Sequence, residues 1–298
     1  MPRIVVATKD GLHLFDEYGA PAEVQHGRSV TAVAPAGSEL WAVVDGAEIW
    51  QAHGTEWRHI ADLNHFRPTC ITSIDGEVFV GSTEAHLFRV VGQELQPIAG
   101  FDRAEGRATW YTPWGGPPDT RSIANWDDDI YVNVHVGGIL RSRDGGQTWT
   151  PTIDVDADVH QVTTAEGLVL AACAGGLAAS ADRGATWSMR TDGLEARYSR
   201  GVAVCGESIL LSSSNGPRGG RAAVYRADLE GGAFEPCRAG PGWFNDNIDS
   251  YCLDALPDGS LAAFGTSEGH VYASMDAGSN WDERASDLSP VQRVLVMP

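Results

Sequence analysis

Arginine, histidine, tyrosine and aspartate residues recur at the starts of β-branched runs, where they could act on a small polar molecule. An arginine can hold an anionic group through two parallel hydrogen bonds, and a histidine or tyrosine can transfer a proton with a carboxylate as partner. The candidate ligand-binding residues of this kind are Arg67, Arg121, Arg200 and His135. The candidate catalytic residues are His160, Tyr251, Asp246 and Asp249, and Asp158 falls in the same register as Asp249.

Aromatic residues in Gly- and Pro-rich loops form a second group of candidates. Trp110, Tyr111 and Trp114 fall within five consecutive residues, and Trp243 lies in another loop. Exposed aromatic rings are costly unless they pack against the protein or contact a ligand. We therefore expect at least one of the first three to contact the ligand, with Trp243 in a wall or lid of the site.

The same residues have structural interpretations that the sequence leaves open. The arginines can bond neighbouring sheets, and Asp246, between two asparagines, can shape a turn. His135 and His160 can be hydrogen-bonded core residues or a metal-binding pair. Because the sequence marks no third ligand for such a pair, we predict no metal site and no cofactor.

An internal repeat supplies the elements that would position these residues. Segments 142–149, 180–187 and 274–281 share the pattern Ser-x-Asp-x-Gly-x-(Thr/Asn)-Trp. The chain also has weaker copies of this repeat at Gly54, Gly92 and Gly231 and the weakest copy at Gly19. The seven copies follow one another at intervals of 35 to 54 residues. Each period holds four short apolar or β-branched runs separated by turn residues, which is the size of one β-propeller blade.

The two ends of the chain complete one further blade. The last apolar run, 291–297, is one strand, and the segment before residue 28 contains three. We predict an all-β, seven-bladed β-propeller of four-stranded blades, closed by pairing the C-terminal strand with the three N-terminal strands. The chain is then a single domain, 1–298, with blades at 1–27 plus 289–298, 28–64, 65–100, 121–156, 157–196, 197–238 and 247–288.

The three strong repeats resemble the Asp-box, or BNR repeat, of sialidase-like β-propellers. The resemblance implies structural roles for the aspartate and tryptophan of each box, and a position on the face opposite the active site. The residues concerned are Asp144, Trp149, Asp182, Trp187, Asp276 and Trp281. Arg3-Ile4-Val5 departs from the Arg-Ile-Pro signature of sialidases, so the resemblance does not extend to sialidase catalysis.

Charge and composition exclude several classes of protein. The 298 residues carry a formal net charge of −19, which repels the phosphate backbone of nucleic acids. Their hydrophobic content of 43% is ordinary for a globular protein and higher than that of acidic disordered chains. No apolar run reaches the roughly 18 residues of a membrane helix, and the N-terminus does not have the pattern of a signal peptide. The five cysteines form no CxxC motif. We expect a soluble, cytoplasmic protein without nucleic-acid or membrane partners.

The longest insertions, including 101–120 and 239–247, fall on the face away from the boxes, where loops commonly carry binding residues. We predict an axial pocket there for a small polar or anionic, carbohydrate-like ligand, whose groups would also support hydrolysis or isomerisation. An enzyme of this kind would be a glycosidase-like hydrolase or lyase rather than a typical sialidase. The alternative is a non-enzymatic scaffold that binds a protein through the same face, because the fold does not decide the function.

Overall fold

The computed structural model of the chain describes residues 2–16, 21–54, 56–238, 240 and 242–298. Within these residues the strands assemble into seven four-stranded sheets. The repeat copy at Gly19 lies outside the described residues, as do two positions of the 239–247 insertion. None of the described helices is long and apolar enough to cross a bilayer.

The strands and helices have the following bounds. The first eleven strands are β1 (Arg3–Thr8), β2 (Gly11–Asp16), β3 (Pro21–His26), β4 (Val30–Ala36), β5 (Glu39–Val44), β6 (Glu48–His53), β7 (Glu56–Asp62), β8 (Pro68–Ile74), β9 (Glu77–Ser82), β10 (Leu87–Val91) and β11 (Glu94–Pro97). The next eight are β12 (Thr120–Trp126), β13 (Asp129–Val134), β14 (Gly138–Ser142), β15 (Thr150–Pro151), β16 (Val159–Ala165), β17 (Leu168–Cys173), β18 (Gly176–Ser180) and β19 (Ser188–Arg190). The last nine are β20 (Tyr198–Cys205), β21 (Ser208–Ser214), β22 (Ala223–Asp228), β23 (Gly231–Pro236), β24 (Leu253–Ala255), β25 (Ala262–Gly265), β26 (Val271–Ser274), β27 (Asp282–Ala285) and β28 (Val291–Met297). One short α-helix, α1 (Ala99–Asp102), and 3-10 turns at Thr83–Ala85, Arg107–Thr109 and Val155–Ala157 lie between strands.

Six of the sheets are built from consecutive strands: β4 to β7, β8 to β11, β12 to β15, β16 to β19, β20 to β23 and β24 to β27. The seventh has the order β28-β1-β2-β3, and β28 pairs with β1 in antiparallel register from Arg3↔Met297 to Thr8↔Val291. Seven blades of four strands, one of them joining both ends of the chain, confirm the predicted all-β propeller.

The chain divides into two compact units. Unit 1 comprises Met1–Ser29, Ala171–Ala178 and Met189–Pro298. Unit 2 comprises Val30–Leu170 and Ala179–Ser188. Each unit has its own hydrophobic core. The core of unit 1 includes the rings of Phe264, Tyr272 and Trp281, and the core of unit 2 includes Trp41, Ile49 and Ile71.

Burial decreases from the inner strands of a sheet to its last strand. All seven residues of β21 are buried, whereas only Phe234 is buried in β23. In the same way only Ile60 is buried in β7. A strand that is covered on both faces needs apolar or small side chains at every position. The inner strands therefore do not show the alternation of apolar and polar residues that is typical of a strand with one exposed face.

The strong repeats form tight turns between the third and fourth strands of their sheets. Ser142 Oγ accepts a hydrogen bond from the Gly146 backbone N–H at 2.8 Å. Asp144 Oδ1 accepts from the backbone N–H groups of Gln147 at 3.0 Å and Thr148 at 2.9 Å. These bonds satisfy backbone donors that the sheet leaves unpaired, so the aspartate shapes the turn.

The other two copies repeat this geometry. Asp182 Oδ1 accepts from the Thr186 N–H and Asp276 Oδ1 from the Asn280 N–H, both at 2.8 Å. Hydrogen bonds, first of all from the hydroxyls of Thr148 and Thr186, lower the pKa of Asp144 and of Asp182 to about 2. The assignment of these repeats as Asp-boxes rests on resemblance alone. The hydrogen bonds of the three aspartates are nevertheless those of residues that stabilise a turn.

The box tryptophans are anchored through their indole N–H groups. Trp149 Nε1 donates to the Gly146 carbonyl at 3.0 Å, and Trp281 Nε1 donates to the Gly278 carbonyl at 2.9 Å. In the middle copy Trp187 Nε1 donates instead to the Thr152 carbonyl at 2.7 Å. Each ring can therefore pack its apolar area while its one donor remains satisfied.

Asp254 in β24 is a partly buried carboxylate beside the chain's last strand. Its Oδ2 accepts a hydrogen bond from the Val296 backbone N–H at 2.7 Å. Burial nevertheless raises the pKa of Asp254 to about 6. Because the folded state binds this proton more tightly than the unfolded state, the resulting stabilisation is complete below about pH 4 and is lost as the pH rises through about 6.

Replacing Asp254 with asparagine should therefore stabilise the protein at pH 7.5, by on the order of 1–2 kcal/mol, since an amide can accept the Val296 bond without burying a charge. The measurement is the free energy of unfolding in urea at pH 5 and pH 7.5. Asp258→Asn, at an exposed turn residue bonded to Ser260, is the matched control and should stabilise at neither pH. The same pH dependence in Asp254→Asn and the wild type would contradict the prediction.

Candidate functional site

A β-bulge recurs near the start of the first strand of several sheets. In unit 2 the register shifts around Thr31 in β4, Thr69 in β8 and Arg121 in β12. In unit 1 it shifts around Arg200 in β20. A bulge leaves one residue outside the ladder and redirects its side chain, and such bulges are common beside functional sites. Two of the candidate ligand-binding arginines therefore occupy bulge positions.

Arg67 does not occupy the corresponding position, although aligning the repeats on their glycines places it beside Arg121 and Arg200. The Thr83 N–H donates to the Arg67 carbonyl at 2.9 Å, just as the His135 N–H donates to the Asp119 carbonyl at 2.9 Å. Arg67 is thus equivalent to Asp119, and Thr69 stands where Arg121 stands. An alignment on glycines counts residues along the chain, so it misses an offset of two residues between strand starts.

Three ionisable side chains meet in unit 2, and we call His135, Asp158 and His160 the histidine–aspartate cluster. His135 follows the end of β13, Asp158 follows the 3-10 turn Val155–Ala157, and His160 is the second residue of β16. Asp158 Oδ1 lies 3.3 Å from His135 Nε2 and 3.6 Å from His160 Nε2. The chain thus brings one carboxylate oxygen between two imidazole nitrogens.

The cluster is largely removed from water. His135 is 6% exposed and His160 is 1% exposed, whereas the Asp158 side chain retains 32% exposure. The contact with His135 is the main cause of a lowered pKa of Asp158, and the nearby charges of His160 and Arg121 lower it further. Together they outweigh burial, which acts to raise this pKa. Asp158 also has a positive φ of 48°, a backbone conformation that is uncommon outside glycine and is often found at functional sites.

Arg121 sets the protonation pattern of His135. Its Nη2 lies 3.1 Å from His135 Nδ1. A guanidinium can only donate, so Nδ1 must be the acceptor, and the neutral ring then carries its proton on Nε2, facing Asp158. Arg121 and Asp158 therefore hold the two nitrogens of one imidazole in distinct roles.

The cluster also has the composition of a metal site. Its three ligand atoms lie within 4.8 Å of one another, and it is the one group of three or more such residues found among the described residues. Asp158 is the third residue of a ligand-forming type in this group, and the sequence did not mark it. A signal existed, because Asp158 and His160 form an Asp-x-His pair at the start of a strand.

The loop before β12 brings aromatic rings to this cluster. Trp114 is 69% exposed, and its ring centroid lies 5.2 Å from that of His135. Tyr111 is 47% exposed and donates a hydrogen bond from its hydroxyl to Asp156 Oδ1 at 3.0 Å. That bond raises the pKa of Tyr111. Both rings offer apolar area to a ligand beside buried polar groups.

Trp110 differs from these two residues because its ring contacts other side chains of the protein. Its ring packs 5.9 Å from Phe101 and lies under the Arg107 guanidinium at 5.0 Å. Arg107 in turn donates to the carbonyls of Ala85 at 2.7 Å and Glu84 at 3.0 Å. These contacts anchor the first part of the loop, and they leave Trp114 to project from it.

The remaining candidates lie in unit 1, where most of them are engaged by other side chains. Arg200 Nη1 donates to Asp249 Oδ1 at 2.6 Å, so the two residues offset each other's charge. Asp246 Oδ2 accepts from Ser267 Oγ at 2.7 Å.

Tyr251 and Trp243, the other two unit 1 candidates, are each covered by an arginine. The Arg293 guanidinium lies 3.7 Å from the ring centroid of Tyr251. The Arg221 guanidinium lies 4.6 Å from the ring centroid of Trp243. A guanidinium over an aromatic face is a stabilising contact, so both rings contribute to packing in unit 1.

Comparisons with known proteins place the chain by fold alone. No protein-family model matches it, and no curated protein matches it significantly. Among solved structures, YCF48 from Cyanidioschyzon merolae is similar with a TM-score of 0.61 at 15% identity, over 88% of this chain and 86% of that one. A structure of YCF48 bound to D1 peptide has a TM-score of 0.62 at 14% identity, over 87% and 83%. The computationally designed Ika8 protein has a TM-score of 0.59 at 11% identity, over 94% and 79%.

Proposed function

We propose that this propeller binds a small, polar, carbohydrate-like ligand against Trp114 and the histidine–aspartate cluster. The observation that carries the proposal is the exposed indole of Trp114 beside buried His135. A sugar ring has an apolar C–H face and a rim of hydroxyl groups. An aromatic face with a few convergent polar groups is therefore a suitable site for it.

The charges of the site favour a polar ligand over a multiply charged one. The positive charge of Arg121 and the negative charge of Asp158 lie on opposite sides of the His135 ring and largely offset each other. Arg200, which could have held an anion, is paired with Asp249. A neutral sugar or one with a single carboxylate fits this balance. In the protein without a bound metal ion, hydrolysis or isomerisation would use His160 or His135 for proton transfer with Asp158 as the partner.

The test is an array of immobilised neutral and uronic-acid-containing oligosaccharides, followed by calorimetry with the sugars that bind. Trp114→Ala should weaken binding about tenfold, since it removes the stacking surface. Asp158→Asn should weaken it about 10- to 100-fold, because a hydrogen bond to a charged group is lost. Met275→Ala, at an exposed apolar residue of unit 1, is the control and should bind normally. The proposal fails if no sugar binds the wild type better than Trp114→Ala.

A protein-binding scaffold is the second candidate. It is favoured by the exposure of both Tyr111 and Trp114 and by the similar fold of YCF48, which was solved bound to D1 peptide. For such a scaffold Tyr111→Ala and Trp114→Ala should each reduce capture of an identified partner. Asp158→Asn should leave capture unchanged, because Asp158 Oδ1 is buried and not available to a protein partner. If the site instead binds a small ligand, Asp158→Asn should weaken the binding of that ligand.

A further inference from the structure

We propose that His135, Asp158 and His160 bind one divalent transition-metal ion of the zinc type, and that Arg121 opposes its binding. This inference deepens the proposed function. It rests on that function only where it places the ion in the site that binds the ligand. It also revises the expectation of no metal, since that expectation depended on the lack of a third ligand.

The spacing of the three donor atoms fits such an ion. Zinc binds nitrogen and oxygen ligands at about 2.0–2.1 Å, so neighbouring ligands of a tetrahedral site are about 3.4 Å apart. Asp158 Oδ1 is 3.3 Å from one imidazole nitrogen and 3.6 Å from the other. All three atoms lie within 4.8 Å of one another. An ion could contact them with small side-chain movements.

Asp158 Oδ1 gives an independent indication. This atom is buried, and no hydrogen bond of good geometry to it is found within the described residues, although His135 Nε2 is only 3.3 Å away. The nitrogen and the oxygen are close, but their arrangement is not that of a well-formed hydrogen bond. Buried carboxylate oxygens rarely lack a well-formed hydrogen bond or a bound cation. A cation bound by both groups would satisfy the oxygen and account for the convergence.

The donor types select the class of ion. Two imidazole nitrogens and one carboxylate oxygen suit zinc, nickel, copper or iron, whereas calcium and magnesium prefer all-oxygen sites. Three protein ligands also leave at least one coordination position open, as in catalytic rather than structural zinc sites. That position could take water or an oxygen of the bound ligand.

Arg121 opposes the ion through the tautomer of His135. A histidine that binds a metal through Nε2 carries its proton on Nδ1 and donates it to an acceptor. In this structure Nδ1 faces a guanidinium donor at 3.1 Å, so Arg121 must move away before His135 can act as a ligand. Glutamine at position 121 would remove a positive charge, and its amide oxygen could accept the Nδ1 proton. Arg121→Gln should therefore bind the ion more tightly.

The experiment measures binding of zinc chloride to the tag-free protein by calorimetry, with magnesium and calcium chloride for comparison. We expect one zinc ion per chain and no saturable binding of magnesium or calcium. Asp158→Asn and His135→Gln should each weaken zinc binding at least tenfold, and Arg121→Gln should strengthen it several-fold. His53→Gln, at an exposed histidine, is the control and should bind like the wild type.

Cobalt gives a second measurement that does not depend on ligand binding or activity. Its visible absorption reports nitrogen and oxygen coordination, and the spectrum should change in His135→Gln while circular dichroism shows the variant folded. Absence of saturable zinc binding in both the wild type and Arg121→Gln would overturn the proposal. Weaker zinc binding in Arg121→Gln would overturn the opposing role of Arg121. Trp114→Ala should bind zinc normally, so failure of the sugar experiments and failure of the metal experiment can be told apart.

Discussion

Replacing Asp129 with alanine should lower the free energy of unfolding by about 3–5 kcal/mol, because it leaves a buried guanidinium without its carboxylate. Asp129 Oδ2 lies 2.5 Å from Arg141 Nη2, and both side chains are less than 10% exposed. Arg183 Nη1 reaches the same oxygen at 3.0 Å. Burial opposes the charge on Asp129, but the hydrogen bonds from the two arginines outweigh it and lower the pKa of Asp129.

Asp127 provides the matched control for this measurement. It pairs with Arg183 Nη2 at 2.6 Å, but its side chain is 68% exposed. Asp127→Ala should therefore cost less than about 1 kcal/mol. Urea unfolding of both variants gives the comparison. The double variant Asp129→Ala/Arg141→Met should recover part of the loss, since no buried charge then remains unpaired. If Asp129→Ala costs no more than Asp127→Ala, the prediction is wrong.

Deletion of residues 291–298, which removes β28, should prevent the chain from accumulating as a folded monomer. The deletion removes the antiparallel ladder with β1 and exposes that strand as a new sheet edge. It also removes Val291, Val294 and Val296 from the core of unit 1. A buried valine contributes about 1.5–3 kcal/mol, so three of them approach the whole free energy of unfolding of a typical domain, about 5–15 kcal/mol.

Expression level, gel filtration and circular dichroism of the deleted chain test this expectation. In the full chain Val294→Asp should produce the same defect at a single position, because Val294 is 2% exposed. Val91→Asp, at a residue that is 45% exposed, should be tolerated. A synthetic peptide of residues 289–298 should partly restore folding when added during refolding. A deleted chain that purifies as a monomer with an unchanged melting temperature would show that β28 is dispensable.

The blade count and the closure of the propeller were predictable from sequence because they depend on local and periodic features. Turn glycines and short β-branched runs recur at every period, the Ser-x-Asp-x-Gly turn recurs in three of the periods, and each of these features acts within a few residues of itself. The pairing of β28 with β1 followed from counting strands at the two ends. Every one of these inferences survives an error of one or two residues in a strand boundary.

The candidate site was less predictable because it depends on where side chains point. Arg67 and Arg121 look equivalent in an alignment on glycines, but the hydrogen bonds make Arg67 equivalent to Asp119. Trp110 and Trp114 are four residues apart in one loop, yet the first is anchored by Arg107 and the second is exposed. Loop packing over long sequence distances produces such differences, and no local pattern encodes them.

By itself the sequence determined the fold class, the repeat, the joining of the chain ends and the types of residue available for chemistry. Only the tertiary structure decided which of those residues lie close together. It placed Asp158 between His135 and His160 and used Arg200 to offset Asp249. The physical reason is that strand periodicity follows from nearest neighbours, whereas the partner of a charged side chain depends on bulges and loop conformations that bring distant segments together.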